Sequence, residues 1–245
     1  MTWTGSAVLS TGTAAFVGAA GDNQLHRHYA TQLVIAERVP VEVMGEDGVV
    51  ARGGVILCPA GVHHRIVTTA PEVGLLYAEP TIGLGRLASC TTIQVLEKSA
   101  NVMLFQRLTA AVATQDADAL HALIETFTGP LRLRATETTR IRSLMESPLM
   151  RPLPPPLAVA ARHAGCSPSR FSHQFSNEMG IPYRAFVKWR KLLAAIGAIA
   201  QGQDFTTAAH AGGFADSAHF SRTFKAMFGM APSRLFAELT LAEKR

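Results

Sequence analysis

The spacing of hydrophobic residues changes along the chain of 245 residues. As far as about residue 80, short runs rich in β-branched residues, such as QLVIAERVPVEVM, GVILCPAG and HRIVTT, are separated by turn sequences such as GEDG and ARGG. Such runs are typical of the strands of a small barrel or sandwich. In VMLFQRLTAAV and ALHALIETF, apolar residues instead recur three and four positions apart. This spacing predicts two or three helices after the strands, with Asp116 or Asp118 capping the second.

A proline-rich segment separates this half of the chain from a second, helical half. The stretch SPLMRPLPPPL contains five prolines, which are excluded from helix interiors and from sheet pairing. The sequence therefore predicts four segments. They are a barrel at 1–83, a helical connector at 84–147, a proline-rich linker at 148–156 and an all-helical domain at 157–245.

The helical half contains one ten-residue phrase twice. FSHQFSNEMG begins at Phe171, and FSRTFKAMFG begins at Phe220, 49 positions later. In both copies apolar side chains recur every fourth residue, a capping residue (Ser167 or Asp216) precedes the helix, and a glycine ends it. Each copy follows a short helix and a glycine-containing turn, which is the pattern of a helix-turn-helix. The segment YRAFVKWRKLLAAIGAIAQG predicts a helix of about 18 residues, about 27 Å long, that holds the two units roughly one turn of DNA apart.

Positive charge is concentrated in the same helical half. Residues 1–156 contain 12 Lys and Arg against 13 Asp and Glu, whereas residues 157–245 contain 11 against 5. An excess of positive charge in one folded segment favours a polyanion such as DNA as a partner. The sequence has no long apolar run, no secretory signal pattern, and three cysteines without close pairing (Cys58, Cys90 and Cys166). These features predict a cytoplasmic protein that does not enter a membrane.

Residues 157–236 resemble the AraC/XylS family of bacterial transcription regulators. The resemblance is carried by LAVAARHAGCSPSRFSHQF, MGIPYRAFVKWRKLLAA and HAGGFADSAHFSRTFKAMFGMAPSRLF, about a third of the chain. It implies two helix-turn-helix units joined by a linker helix, each placing a recognition helix in the major groove of double-stranded operator DNA. It also implies an N-terminal domain that senses an effector or dimerises. RNA polymerase is a further candidate partner.

The resemblance assigns DNA-binding roles to positions in both units. Base-facing positions fall on Ser169, Ser172 and His173 in the first unit and on Ser217, His219 and Arg222 in the second, with Ser221 beside them. Arg222 belongs to the shared core phrase of the family and could instead brace the fold. The residues expected to contact phosphates are Arg170, Lys188, Arg190, Lys191, Lys225 and Arg234. Because the first recognition helix carries short side chains, the second unit or the shape of the DNA is expected to contribute more to specificity.

Two stretches of the first half, GDNQLHRHYATQ and GVILCPAGVHH, resemble the two cupin motifs. On a strand, His26 and His28 would point to one face, and Gln32 shares their parity. In metal-binding cupins a Glu commonly occupies the position of Gln32, and a late histidine, here His63 or His64, completes the set. Three interpretations stay open: a divalent transition metal held by His26, His28 and His64, an organic effector bound through these residues and Gln32, or side chains satisfied by hydrogen bonds alone.

The sequence thus predicts an α+β protein of several domains, with a cupin-like barrel and following helices before an all-α tandem helix-turn-helix domain. Its expected function is sequence-specific transcriptional regulation without catalysis, in response to a small molecule or a metal. The organic effector is favoured because the neutral Gln32 replaces a carboxylate. The alternative is a metal-dependent cupin enzyme fused to a DNA-binding module, which rests on the three histidines alone.

Two apolar sets in the first half receive specific roles. Leu33, Ile35, Val55 and Leu57 are expected to shape the effector cavity if their strand face turns inward. Val102, Phe105, Leu108 and Val112 lie along one side of a predicted helix and suit the partner helix of a homodimer, although packing on the barrel fits the pattern equally well.

Overall fold

The computed structural model describes residues 2–10, 12–79, 91–96, 101–128, 140–237 and 239–243. The first half of the chain is built mainly from β-strands, as the sequence predicts. These strands are β1 (Thr4–Ser10), β2 (Thr13–Ala19), β3 (Thr31–Ala36), β4 (Val41–Gly45), β5 (Val50–Gly53), β6 (Val55–Cys58), β7 (His64–Ile66), β8 (Val73–Ala78) and β9 (Gln94–Val95).

The described strands form a larger and a smaller sheet. The larger sheet has the order β10-β1-β2-β8-β3-β6-β9, where β10 is Leu239–Glu243, and the smaller has the order β5-β4-β7. Neighbouring strands are antiparallel, except that β10 runs parallel to β1. Every residue of β3 and β6 is buried, because both faces of these strands are covered.

Helices α1 (Asn101–Thr114) and α2 (Ala117–Thr128) cover one face of the larger sheet. The side chain of Asp116 accepts hydrogen bonds from the backbone N–H groups of residues 118 and 119, at 3.0 and 3.1 Å, so Asp116 is the cap of α2. The stripe Phe105, Leu108 and Val112 of α1 packs in one core with Leu33, Ile35, Val55 and Leu57. This corrects the expectation for the strand residues, which face helices rather than a cavity. For α1 the structure selects packing on the barrel, the second of the two alternatives, for Phe105, Leu108 and Val112, whereas Val102 is exposed.

The second half consists of short helices arranged around one long helix. They are α3 (Arg140–Glu146), α4 (Leu157–His163), α5 (Pro168–Met179), α6 (Tyr183–Ala200), α7 (Phe205–Ala211), α8 (Ser217–Phe228) and α9 (Pro232–Phe236). The segment between α3 and α4 contains a 3₁₀ turn, Pro148–Met150. The side chains of Ser167 and Asp216 accept from backbone N–H groups at the starts of α5 and α8, and Gly180 and Gly229 end these helices with φ of 72° and 71°. The predicted caps of both recognition helices are therefore confirmed.

The two helix-turn-helix units pack differently. In the first unit, Phe171 and Phe175 belong to a core formed mainly by residues of α3 to α6. In the second unit, Phe220 and Phe224 belong to the same core as barrel residues such as Val34. The second unit is therefore continuous with the barrel, whereas the first packs mainly on its own side chains.

The expectation of an all-helical second half holds only as far as Phe236. Strand β10 then returns to the barrel and pairs with β1, in a register that runs from Gly5 opposite Leu239 to Leu9 opposite Glu243. The end of the helical half thus completes a sheet that the first strand of the chain begins.

Cys58 and Cys166 carry free thiols, whereas Cys90 lies outside the described residues. Among the helices that the structure describes, none combines the length and the hydropathy that a membrane span requires.

Candidate effector site and DNA-binding surface

Three buried histidines meet where the barrel contacts the helical half. His26 and His28 lie in the irregular segment between β2 and β3, not on the expected strand, and His64 begins β7. Two reciprocal backbone hydrogen bonds of 3.0 and 2.8 Å join His26 to His64. One nitrogen of each of the three rings lies within 4.8 Å of the others. His63 instead lies 2.9 Å from the carboxylate of Glu46, so His64 is the late histidine of the set.

The backbone fixes the protonation of each imidazole in this cluster. In all three rings, Nδ1 lies 2.8–2.9 Å from a backbone carbonyl oxygen two residues away. A carbonyl oxygen can only accept, so Nδ1 carries the proton and donates it. Each Nε2 therefore carries a lone pair, which can accept a hydrogen bond or bind a metal ion.

The side-chain amide of Gln32 lies among these lone pairs. Its Oε1 position is 2.9 Å from Nε2 of His28 and 2.8 Å from Nε2 of His64, and its Nε2 position is 3.1 Å from the hydroxyl of Tyr77. An amide oxygen facing two imidazole lone pairs would bring three acceptors together without a hydrogen. Rotating the amide by 180° lets its N–H groups donate to both imidazoles and lets Tyr77 donate to the amide oxygen. The amide then satisfies Nε2 of His28 and Nε2 of His64 without an ion.

Burial keeps the histidine cluster neutral. Desolvation lowers the pKa of His26 from 6.5 to about 4. Desolvation also lowers the pKa of His28 and lowers that of His64 well below its ordinary value. Neutral imidazoles with unprotonated Nε2 atoms suit zinc, nickel, copper or iron as ligands, so the three histidines could hold such a metal.

The second helix-turn-helix unit closes over this cluster. The backbone N–H of Gln24 donates to the carbonyl of Gly229 at 2.9 Å. The ring centroids of Trp189 and Phe228 lie 6.1 and 6.4 Å from that of His28. The linker helix α6 and the end of recognition helix α8 therefore both touch the histidine region.

A buried ion pair adds to this contact. Nη1 of Arg190, on α6, lies 3.3 Å from one carboxylate oxygen of Glu79 and 3.5 Å from the other. Glu79 follows β8, and its side chain is only 3% exposed. Arg190, expected from sequence to contact phosphate, is thus directed towards the barrel in this arrangement.

An apolar cavity of about 90 Å³ lies between the barrel and the second unit. Trp3 and Phe16 line it from the barrel, Trp189 and Phe228 from the helices, and His26 from the histidine cluster. The described residues that line it include no charged side chain. Since ligand pockets usually measure about 300–1,000 Å³, a molecule of ordinary effector size can enter only when the two walls separate.

The outer faces of both recognition helices, α5 and α8, are accessible. The exposed predicted DNA-binding residues are Ser169, Arg170, His173, Lys188, His219, Arg222 and Lys225, and the half-exposed ones are Ser172, Arg190, Ser217 and Ser221. The ring of His219 packs edge-on against Phe214, with centroids 5.2 Å apart, and Nζ of Lys191 donates to the carbonyl of Gly213 at 2.8 Å. Apart from Arg190, which pairs with Glu79, these side chains are available to DNA, but their roles in binding it remain predictions.

A model of the helix-turn-helix domain family matches residues 160–238. Residues 160–238 form an AraC-type helix-turn-helix domain. The resemblance in sequence is thereby confirmed, and a chain with this AraC-type domain is a DNA-binding transcription regulator. Comparison with curated proteins gives no sequence match.

Solved structures of ToxT share the overall fold of this chain. ToxT from Vibrio cholerae O395 has a TM-score of 0.56 and 12% identity, covering 91% of this chain and 96% of that chain. ToxT from strain SCE256 with a bound unsaturated fatty acid has a TM-score of 0.58 and 13% identity, covering 96% and 99%. ToxT from O395 bound to (E)-4-(8-methylnaphthalen-1-yl)but-3-enoic acid has a TM-score of 0.57 and 12% identity, covering 95% and 97%. At this level of identity the likeness concerns the fold, and it confirms the predicted fold class.

Sequence patterns did not indicate three residues at the contact between the halves, Glu79, Tyr77 and Trp189. They predicted Gly229 as the end of α8 but not its contact with the barrel. Phe228 was expected to belong to the inward stripe of α8, but it is only half-buried and faces Tyr77, with ring centroids 6.3 Å apart. The sequence contained one indication of this contact, because Phe228 occupies the position of the smaller Met179 in the first copy. An enlarged side chain at the end of one repeat indicates an additional contact there.

Proposed function

We propose that this chain is a transcription regulator whose affinity for operator DNA is set by a small organic effector bound in the cavity between the barrel and the second helix-turn-helix unit. The observation that carries the proposal is that both halves of the chain line the cavity. Trp3 lines it from the barrel and Trp189 from the helical half. A ligand that widens the cavity must move α6 and α8 relative to the barrel. The position of the second recognition helix then depends on the ligand.

The comparison with ToxT supports an effector with a large apolar part. The molecules bound in the two ligand-containing ToxT structures are an unsaturated fatty acid and a naphthalene-containing acid. This chain shares their fold and has a cavity lined almost entirely by apolar side chains. No catalytic step belongs to the proposal.

A transition metal is a second candidate effector. It is supported by the three Nε2 lone pairs that converge in the cluster of His26, His28 and His64. The amide of Gln32 can satisfy two of them without an ion, and no carboxylate of this cluster balances the charge of a metal. These two features favour the organic effector.

In this arrangement the barrel also binds Arg190, a side chain that is expected to contact a DNA phosphate. Arg190 is paired with the buried Glu79, so we expect it to reach a phosphate only after α6 leaves the barrel. We further propose that the regulator acts in the cytoplasm as a homodimer on paired operator half-sites, where it meets RNA polymerase. Because Phe105, Leu108 and Val112 of α1 are buried, the exposed residues Val102 and Met103 of the same helix are the candidates for a dimer contact.

The proposal is tested with a variant that fills the cavity. The purified chain first selects fragments of its own genome, and fluorescence anisotropy then measures its affinity for a selected fragment with a panel of small organic molecules. In Ala14→Leu, the longer side chain occupies the cavity that Ala14 lines. An effector that shifts the affinity of the parent chain should have no effect on this variant, and it should keep its effect on Ala113→Leu, whose substitution lies on the exposed face of α1.

Two results would contradict the proposed function. An unchanged response of Ala14→Leu would place the effector elsewhere. Equal binding to selected and scrambled DNA at moderate salt would exclude a sequence-specific regulator.

A further inference from the structure

The two tryptophans of the chain have deeply buried indole rings. Trp3 and Trp189 are 4% and 2% exposed. Within the described part of the chain, Nε1 of neither ring has a partner. Both residues line the apolar cavity, one on each wall.

An orphaned donor in this position requires an explanation. The large majority of buried side-chain polar groups in native proteins have a hydrogen-bond partner, because a buried donor without one loses its hydration and gains nothing. Both Nε1 atoms are fully buried in the closed arrangement, so the closed cavity does not reach either donor. When the two walls separate around a ligand, an acceptor on that ligand can satisfy one or both N–H groups. Two other polar atoms of the wall are already engaged, since Nδ1 of His26 donates to the carbonyl of Gln24 and the hydroxyl of Tyr77 contacts Gln32.

We propose, on the basis of the proposed function, that the effector is a neutral, mostly apolar molecule with a carbonyl or ether oxygen that accepts a hydrogen bond from the indole of Trp3, Trp189 or both. The apolar lining takes the hydrocarbon part of the molecule, and the indoles orient the oxygen. An ionised acid does not fit this wall, because burial would remove its hydration without supplying an opposite charge. The nearby cation Arg190 is paired with Glu79 and does not line the cavity. The proposed class therefore differs from the acids bound by ToxT.

The first experiment compares two probes that differ only at the acceptor. Acetophenone carries a carbonyl oxygen, and α-methylstyrene has a CH₂ group in the same place. Each is titrated into the ¹⁵N-labelled full chain while NMR follows the two indole N–H resonances, which Trp3→Phe and Trp189→Phe assign by removing one signal each. Acetophenone should move at least one indole proton resonance downfield and slow its exchange with water, whereas α-methylstyrene should do neither. Benzoate, the ionised counterpart, should bind more weakly than acetophenone.

The Phe variants also serve as the affinity test, because Phe keeps an aromatic ring but has no N–H. Acetophenone should lose about fivefold to tenfold in affinity in the variant whose indole it contacts, while α-methylstyrene should bind as well as to the parent chain. If a variant does not fold, the indole resonances of the parent chain decide the question alone.

Each failure has a distinct meaning. Equal affinity for acetophenone and α-methylstyrene, with unshifted indole resonances, would overturn the acceptor and leave the cavity as an apolar site. Tighter binding of benzoate would overturn the neutral class. If all three probes fail to bind and Ala14→Leu responds to effectors like the parent chain, the proposed function fails together with this inference.

Discussion

Gly180 and Gly229 occupy equivalent positions at the ends of the two recognition helices, but a Cβ would meet the barrel only at Gly229. Both have a left-handed backbone, with φ of 72° and 71°. A Cβ at Gly180 would meet nothing within 4 Å. A Cβ at Gly229 would collide with the backbone oxygen of Gln24 and lie 2.7 Å from the nitrogen of Gln24 and 3.0 Å from Nδ1 of His26. Alanine therefore strains the backbone equally at both sites but disturbs the contact between the halves at only one.

The expected magnitudes follow from this difference. An alanine in the left-handed region costs roughly 1–2 kcal/mol, so Gly180→Ala should lower the free energy of unfolding by about that amount. Gly229→Ala should lose in addition about 1 kcal/mol with the Gln24 hydrogen bond and about 1–3 kcal/mol through crowding against the barrel. We therefore expect Gly229→Ala to be less stable than Gly180→Ala by at least about 2 kcal/mol.

Urea denaturation followed by tryptophan fluorescence measures this difference, because Trp3 and Trp189 both line the contact. In native buffer, Gly229→Ala should show red-shifted emission as the contact opens, and its operator affinity should no longer respond to the effector. Gly180→Ala should keep the emission and the response of the parent chain. Equal loss of stability in the two variants, with the same emission, would refute the view that the second unit is docked on the barrel through Gly229.

Gln32→Glu adds a carboxylate beside the three imidazoles, so elemental analysis should find about one transition metal per chain in this variant and less in the parent; equal contents would contradict the argument. Because burial lowers the pKa of His26 from 6.5 to about 4, the unfolded state binds a proton that the folded state excludes. Protonation of His26 in the unfolded state should therefore leave the free energy of unfolding unchanged above pH 6.5 and lower it by about 2 kcal/mol at pH 5. A urea midpoint that does not change over this range would contradict this prediction. His219→Ala should relax base preference at one or two base pairs by about 1–3 kcal/mol each, whereas Lys188→Ala should weaken all sequences about equally. Anisotropy with operators changed at single positions separates the two effects, and a uniform loss in His219→Ala would exclude a base contact.

The tandem helix-turn-helix could be predicted from sequence because its determinants are local. A cap such as Ser167 or Asp216 acts within one turn of its helix, and the apolar spacing of the helix defines the buried face. The two copies supply independent evidence for the same pattern. The same local argument identified Asp116 as one of two candidate caps, and the structure selects it.

The contacts between the halves could not be predicted in this way. Arg190 and Glu79 are 111 positions apart, and no spacing in the sequence connects them. The histidines converge as expected but for a different reason, since one backbone bridge between His26 and His64 replaces the assumed strand parity. Strands β1 and β2 lie in a segment rich in Gly and Ala, residues with low β propensity, and their pairing comes from the sheet around them.

The parallel pairing of β10 with β1 has a consequence for synthesis of the protein. β1 gains β2 as a neighbour almost as soon as both leave the ribosome, but its other edge waits for residues that are made about 230 positions later. At about 5–20 residues per second, this interval lasts roughly 10–50 s. An open strand edge invites pairing with other chains, including nascent copies on the same messenger RNA. The end of the helical half thus covers an edge of the β-rich half, and a barrel expressed without residues 239–243 would keep this edge exposed.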